Sequence, residues 1–197
     1  MTATSGKNYD VFLYDNSGVL TLSTEVWTDD DTRATAIARQ DGVPVKSGAP
    51  IYRYLGTIRA TGTNQTSDTA AIRGVWNFDN RVKRNCLYET SNLTADQTLY
   101  WINGDPAGEN VTVGIGGSWT AAGSGNFAAC YLFSTLIPSG GNGYGEVGCY
   151  GLSGMVQTGK TWSLKFSPGY NYALADLKLY NASCKAEFVN IYVELWN

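Results

Sequence analysis

Histidine is absent from this 197-residue chain, and charged side chains are few, with 14 lysines and arginines against 17 aspartates and glutamates. Without imidazole, neither a Ser-His-Asp nor a Cys-His nucleophile can be assembled, and zinc sites that use histidine are excluded. The commonest general base near neutral pH is missing as well. Any catalysis would have to use carboxylate, lysine, tyrosine or metal–carboxylate chemistry.

Long apolar runs and a basic excess are also missing. No run approaches the roughly 18 residues of a membrane-spanning helix, and the polar start MTATSGKN lacks the apolar core of a signal peptide. The net charge of −3 and the isoelectric point near 4.9 offer no basic face to a phosphate backbone. We therefore expect synthesis in a cytoplasm, no cofactor, and neither nucleic acid nor a membrane as a partner.

Cysteine pairs of the kind that bind metals are missing too. The four cysteines Cys86, Cys130, Cys149 and Cys184 are widely separated and form no C-x-x-C motif, so an all-cysteine metal site is not expected. Buried reduced thiols are the simplest interpretation. One or two disulfides remain the alternative if the mature protein ends up outside a cell.

The residues that are plentiful favour strands and tight turns. The chain has 23 glycines, 13 tyrosines and six tryptophans, a mixture typical of β-proteins. About ten strand candidates at spacings of roughly 8–15 residues predict an all-β, antiparallel β-sandwich resembling a jelly roll, with one or two short helical turns. We expect residues 1–8 to form a short, mobile N-terminal arm and residues 9–197 a single β-sandwich domain.

The first half opens with a predicted hairpin. Polarity alternates through Tyr9–Tyr14 and Val19–Val26 on either side of the turn Asp15-Asn16-Ser17-Gly18. Val43–Lys46 is predicted to be a short edge strand because it contains Pro44. Residues 51–60 are predicted to form a central strand.

Two short helical turns are predicted in the same half. The triplet Asp29-Asp30-Asp31 would cap one over residues 32–38. Asp68 would begin another, followed by one long strand from Val75 into Tyr88. Calcium binding by the triplet is disfavoured, because consecutive loop residues cannot all supply inward-facing ligands to a cation that takes about six to eight oxygens.

The second half is punctuated by glycines, with strand candidates over residues 98–103, 111–115, 127–137, 145–156, 161–166, 170–180 and 186–196. Residues Gly154–Thr161 match the phosphate-loop pattern G-x-x-x-x-G-K-T. Such a loop must open a helix, yet the residues that follow alternate like a strand, so we interpret 158–161 as a hairpin turn. The glycine triplet at 143, 145 and 148 is interpreted as a loop.

Exposed aromatic rings would favour carbohydrate binding. Trp119, beside two glycines, and Tyr144, in a glycine-rich stretch, are the candidates for exposed rings that stack on a glycan.

Three segments resemble a module of tailed-bacteriophage virion proteins and prophage fibre proteins. They read YDVFLYDNSG, WTDDDTRATAIARQDGVPVKSGAPIYRYLGTIRATG and DTAAIRGVWNFDNRV, and the later GYNYALADLKLY is similar to that module's closing strand. The resemblance covers about 75 residues well, whereas residues 92–168 depart from it. It implies an antiparallel β-sandwich with a non-catalytic role in the virion, commonly as a homotrimer on a capsid or a tail appendage.

Two virion roles follow from this resemblance. Only about eight residues precede the first strand, which favours a stand-alone capsid decoration protein that binds the major capsid protein. The alternative is the tip of a head or tail fibre that recognises a host surface glycan. Arg73, Arg81 and Arg84 are the expected assembly contacts, and the basic cluster around them would otherwise be the polar face of a strand.

An enzymatic alternative is a glycan depolymerase with paired carboxylates. The candidate pairs are Asp105 with Glu109, and Glu146 with Asp176. A retaining pair needs carboxyl groups about 5 Å apart, and an inverting pair about 6.5–9.5 Å.

Overall fold

The computed structural model describes residues 2–122, 127–134, 145–150, 153–179 and 184–196. Their strand pairs are antiparallel apart from one short parallel pair, Ile72–Arg73 with Tyr100–Trp101. The described residues contain no helix, so none of them provides a helix that could cross a membrane. The expected all-β class and antiparallel β-sandwich are confirmed. The two predicted helical turns are wrong.

An N-terminal sheet has the strand order β2-β1-β5-β4-β3, with β6 and β8 also paired to β5. Its strands are β1 (Asn8–Asn16), β2 (Val19–Val26), β3 (Ile37–Gln40), β4 (Val43–Lys46), β5 (Ala49–Gly62), β6 (Gln65–Thr66) and β8 (Val75–Asn77). The predicted β1–β2 hairpin is confirmed. Its turn residues Ser17 and Gly18 both have positive φ, 55° and 88°, as a two-residue hairpin turn requires.

A sandwich of two further sheets contains the remaining strands. Their bounds are β7 (Ile72–Arg73), β9 (Lys83–Leu93), β10 (Gln97–Asn103), β11 (Glu109–Ala122), β12 (Phe127–Ser134), β13 (Gly145–Tyr150), β14 (Ser153–Phe166), β15 (Gly169–Leu179) and β16 (Lys185–Trp196). One sheet has the order β14-β11-β16-β9 and the other β13-β12-β15-β10-β7. Counted from β9 as one to β16 as eight, the two sheets have the strand orders 6-3-8-1 and 5-4-7-2.

The sandwich core is apolar and lies between these two sheets. Alternate residues of β11 and β16 are buried, as period-two strands with one inward face require. Trp101 packs edge-on against Phe166, with ring centroids 4.8 Å apart. Cys86 and Cys184 are buried free thiols, as expected, and burial raises the pKa of Cys86 to about 11.

The N-terminal sheet packs on the outer face of the sheet that contains β10 and β15. Phe12, Tyr54 and Trp76 form a small aromatic cluster that also includes Ile102 from β10. Gly104, directly after β10, allows the close approach, because a Cβ there would collide with the Trp76 ring and lie 2.8 Å from Thr57 Oγ1.

Backbone bonds to distant strands explain why the second helical turn does not form. The carbonyl of Ala70 accepts from the N–H of Leu87, and the carbonyl of Ala71 accepts from the N–H of Tyr100. The long strand expected from Val75 into Tyr88 is also interrupted, because β8 belongs to the N-terminal sheet and β9 to the sandwich.

The first helical turn is replaced by an irregular segment. Asp29 does cap a turn, since its Oδ1 accepts from the N–H groups of Asp31 at 2.9 Å and Thr32 at 2.7 Å. The Arg33 side chain that follows is buried in the interior, and β3 begins at Ile37.

Two strand assignments also need correction. β4 is not an edge strand, because it lies between β3 and β5; Pro44 is tolerated because the β4–β5 pairs involve only Val45 and Lys46. Residues 158–161 do not turn, since β14 runs continuously beside β11.

The N-terminal arm lies on the sheet. Ala3 is buried against Tyr9 and Ala60, its N–H donates to Asn64 Oδ1 at 2.7 Å, and Gly6 N–H donates to the carbonyl of Ala60 at 2.7 Å. The expectation of a mobile arm is therefore replaced by a segment that covers one end of the N-terminal sheet.

Candidate functional surfaces

A buried ion pair joins Arg33 to Asp10 beneath the N-terminal sheet. Arg33 Nε donates to Asp10 Oδ2 at 2.9 Å, and the two side chains are only 9% and 2% exposed. Thr57 Oγ1 donates to the other carboxylate oxygen at 2.6 Å. Arg33 Nη2 also donates to Tyr54 Oη at 3.1 Å and to the carbonyl of Gly104.

This network holds the N-terminal sheet against the turn after β10. Burial raises the pKa of Asp10, while Arg33 and Thr57 act in the opposite direction. The Arg33 guanidinium lies 4.5 Å from the Trp27 ring centroid, so its cationic face is covered as well. A carboxyl group this enclosed is out of reach of a substrate, and its role is structural.

Arg81 lies where the chain passes from the N-terminal sheet to the sandwich. It donates to Asp105 Oδ2 at 3.3 Å and to Glu109 Oε1 at 2.8 Å. Glu109 is almost completely buried, so this pair is anchored in the protein rather than on its surface. The structure thus brings the first candidate carboxylate pair together, with a guanidinium between its members.

A cleft of about 310 Å³ lies beside Arg81, lined partly by Arg39, Phe78 and Asp105. Its volume is near the lower end for a small-molecule site. The Arg81 guanidinium occupies the space that a reacting sugar and water would need between Asp105 and Glu109. Acid–base catalysis by this pair would require Arg81 to move.

The second candidate pair is separated by a strand. Glu146 lies opposite Tyr131 on one side, and Asp176 lies opposite Tyr131 on the other. Two strand spacings place their backbones about 9–10 Å apart.

Arg73 and Arg84 share one acidic partner. Arg84 Nη1 donates to Asp68 Oδ2 at 2.6 Å, and Arg73 lies 3.6 Å from the other Asp68 oxygen. Arg73 also donates twice to the carbonyl of Asn85. The three arginines therefore form two groups, and each has partners within the chain. Their use as assembly contacts stays a prediction, for which the 42% exposed Arg84 side chain is the best placed.

The expectation that the Trp119 ring is exposed is wrong. Trp119 has no exposed surface and belongs to the sandwich core, because its position in β11 points inward. It cannot stack on a glycan in this conformation. Tyr144 lies outside the described residues.

An aromatic ring that sequence reasoning missed lies on the outer face of the sandwich. Tyr192 in β16 is opposite Gly114 in β11, and a Cβ on Gly114 would collide with the Tyr192 ring. The half-buried ring therefore lies flat over the glycine. Thr161 Oγ1 is 3.4 Å from Tyr192 Oη. A glycine opposite a tyrosine would have been the sequence signal, but only the strand register reveals it.

Strand β2 presents exposed apolar side chains at the edge of the N-terminal sheet. Val19, Leu20 and Leu22 are 64%, 73% and 64% exposed. Leu20 and Leu22 lie on one sheet face and Val19 on the other, as the predicted alternation requires. Exposed apolar clusters of this kind mark contact surfaces.

The two motif-like stretches have ordinary structural roles. The phosphate-loop match lies entirely within β14, so it opens no helix. In the acidic triplet, Asp29 accepts backbone N–H groups and Asp30 pairs with Arg59, which covers the Tyr170 ring at 4.0 Å. The described part of the chain contains no cluster of three or more cysteine, aspartate or glutamate side chains suited to a metal.

No protein-family model and no curated protein matches the sequence. Among solved structures, the chain is similar to dimeric latent PorU from Porphyromonas gingivalis, with 10% identity, a TM-score of 0.40, and coverage of 97% of this chain and 22% of that one. It is also similar to a structure of infectious bursal disease virus Gx strain (8% identity, TM-score 0.28, coverage 98% and 68%) and to a Bacillus thuringiensis Cry1Da tryptic core variant (8%, 0.27, 97% and 51%). These TM-scores are too low to assign a function.

Proposed function

We propose that this chain is a non-enzymatic structural protein of a tailed-bacteriophage virion. Its role is that of a decoration protein, which binds the major capsid protein from outside as a homotrimer and stabilises the capsid. The observation that carries the proposal is the apolar β2 edge, a contact surface that could join copies of a structural protein and that lies on a sheet held in place by buried polar contacts. The resemblance of residues 9–84 to a virion module supports it. Jelly-roll sandwiches also occur in viral capsids, although fold alone does not assign function.

Locating the chain on purified virions tests this proposal. Antibody labelling or cryo-electron microscopy is expected to find it on the capsid surface, and particles that lack it are expected to release DNA at a lower temperature. A location on the tail alone would refute the decoration role. Absence from virions would refute the virion role altogether.

Glycan recognition at a fibre tip is the second candidate. The Tyr192 ring favours it, because a flat, partly exposed aromatic ring beside hydroxyl and amide groups suits stacking on a sugar. Close to Tyr192 on β16, Asn190 Nδ2 donates to Glu89 Oε1 at 2.6 Å. Tyr192→Ala is expected to abolish binding to host cells, with Tyr172→Ala as the matched tyrosine control. Equal binding by wild type and Tyr192→Ala would remove this site from consideration.

A further inference from the structure

We infer that strand β2 pairs antiparallel with β2 of a second copy of this chain. The pairing would join two N-terminal sheets into one continuous sheet across a two-fold axis near Thr21. The inference deepens the proposed function by naming a partner for the β2 edge. It rests on the proposed function in one respect only, namely that the β2 edge is a surface that contacts protein.

The first argument compares β2 with other strands at sheet edges. Natural proteins protect edges with short strands, charges or prolines. β3, at the other edge of the same sheet, is four residues long and contains Arg39. β9 contains Lys83, Arg84 and Glu89, and β14 contains Lys160 and Lys165.

β2 has none of these protections. It is eight residues long, and its single charged residue, Glu25, pairs with Lys46 of the same sheet at 2.7 Å. An added strand would also flank both faces of the sheet, and β2 exposes apolar side chains on both: Leu20 and Leu22 on one, Val19 on the other. Docking onto one face would leave the other uncovered.

The backbone of β2 is in the right orientation for such pairing. Asn16 and Val19 flank the two-residue turn and form the first hydrogen-bonded pair of the hairpin. Because these pairs alternate along a ladder, odd-numbered residues of β2 direct their backbone groups to β1. Leu20, Leu22 and Thr24 therefore direct theirs to the open edge.

The order of side chains fits a second copy of the same strand. The segment V-L-T-L-S is nearly symmetric about Thr21, so a two-fold axis there places Leu20 opposite Leu22 of the second copy on both sides. Val19 lies opposite Ser23. Like charges repel when they lie opposite each other in a self-pairing strand. Residues 19–24 contain no charged side chain, so this repulsion does not arise.

This contact is isologous, and it cannot by itself close a trimer. In a homotrimer formed through another surface, it would connect one trimer to the next. For the purified chain, the β2 pairing predicts dimers or other assemblies with an even number of copies, and their formation should depend on β2.

The test uses the purified full chain and two cysteine variants. With the two-fold axis at Thr21, the two Thr21 Cα atoms lie about 4.5 Å apart, within disulfide range. The two Thr24 Cα atoms are offset by six residues, roughly 20 Å. Under mild oxidation, Thr21→Cys is expected to give a covalent dimer, whereas Thr24→Cys and the wild type, which controls for the native cysteines, remain monomeric on a non-reducing gel.

A second measurement uses matched charge variants in analytical ultracentrifugation. Leu22→Lys is expected to raise the dimer dissociation constant by at least about tenfold. Ile51→Lys is the control, because Ile51 is equally exposed (67% against 64%) but lies on β5 rather than on the edge strand. Equal cross-linking of both cysteine variants, or equal association of both lysine variants, would overturn the inference. Neither result would alter the location of the protein on virions, which is tested separately.

Discussion

The N-terminal sheet and the sandwich are stabilised by different means. The sandwich buries an apolar core between its two sheets, with Trp101, Trp119 and Phe166 fully enclosed. The N-terminal sheet has a small aromatic cluster and a buried ion pair between Arg33 and Asp10, and it leaves the apolar side chains of β2 exposed. The sandwich encloses its apolar side chains, whereas the N-terminal sheet is held by polar contacts and has an exposed apolar edge.

Trp101→Ala tests the apolar side of this comparison and should have the largest effect. Removing a fully buried tryptophan costs the transfer free energy and leaves a cavity, about 3–5 kcal/mol of unfolding free energy. Urea unfolding followed by circular dichroism measures it. A loss below about 1 kcal/mol would mean that the sandwich core is not tightly packed.

Arg33→Met tests the polar side, with an expected loss of about 3 kcal/mol, because Asp10 would remain buried without its cation. The double variant Arg33→Met/Asp10→Leu should recover part of this loss, because it removes the stranded charge as well. The same urea titrations measure both. If the double variant is less stable than Arg33→Met, the isolated carboxylate is not the cause.

Gly104→Ala tests the contact between the two parts, with an expected loss of roughly 1–3 kcal/mol from overpacking against Trp76. Gly159→Ala is the matched control, because its Cβ would meet only backbone atoms at 3.5 Å, an ordinary contact. Equal effects of the two substitutions on the urea midpoint would contradict the close approach at Gly104.

Arg84→Ala should have the smallest effect on folding, within about 1 kcal/mol, because its ion pair with Asp68 is substantially exposed to solvent. If Arg84 contacts the capsid, the same variant should still weaken capsid binding in co-sedimentation. A large loss of stability would instead assign Arg84 a structural role.

Local sequence signals predicted much of the N-terminal sheet. Turn residues and alternation defined the β1–β2 hairpin correctly because both act within a few residues. The prediction of a helical turn after Asp68 was wrong because the carbonyls of Ala70 and Ala71 accept hydrogen bonds from β9 and β10. These strands are distant in sequence, so no local pattern shows that they lie nearby. Pro44 suggested that β4 is an edge strand. The proline is tolerated inside the sheet because the pairs between β4 and β5 involve only Val45 and Lys46, which the local sequence does not show.

The candidate sites were harder to predict than the strands. Neighbouring glycines suggested an exposed ring at Trp119, but the register of β11 points this side chain into the core. Arg81 and its two carboxylates are 24 and 28 residues apart in sequence, so no local pattern links them. The position of the Tyr192 ring depends on Gly114, which becomes its neighbour only through the pairing of β16 with β11.

The position of β16 also determines the order in which the molecule can fold. β16 lies between β11 and β9, and the β9–β16 ladder joins Lys83 to Trp196. The strand pairings of the N-terminal sheet lie within the first 77 residues, so its strands can pair early in synthesis, before the contacts with Ile102 and Gly104 are made. The sandwich sheet remains split until residues 185–196 leave the ribosome, and such non-local pairing folds slowly. During that interval the inner faces of β9 and β11 are exposed, and aggregation, rather than weak native stability, would limit the yield of folded protein.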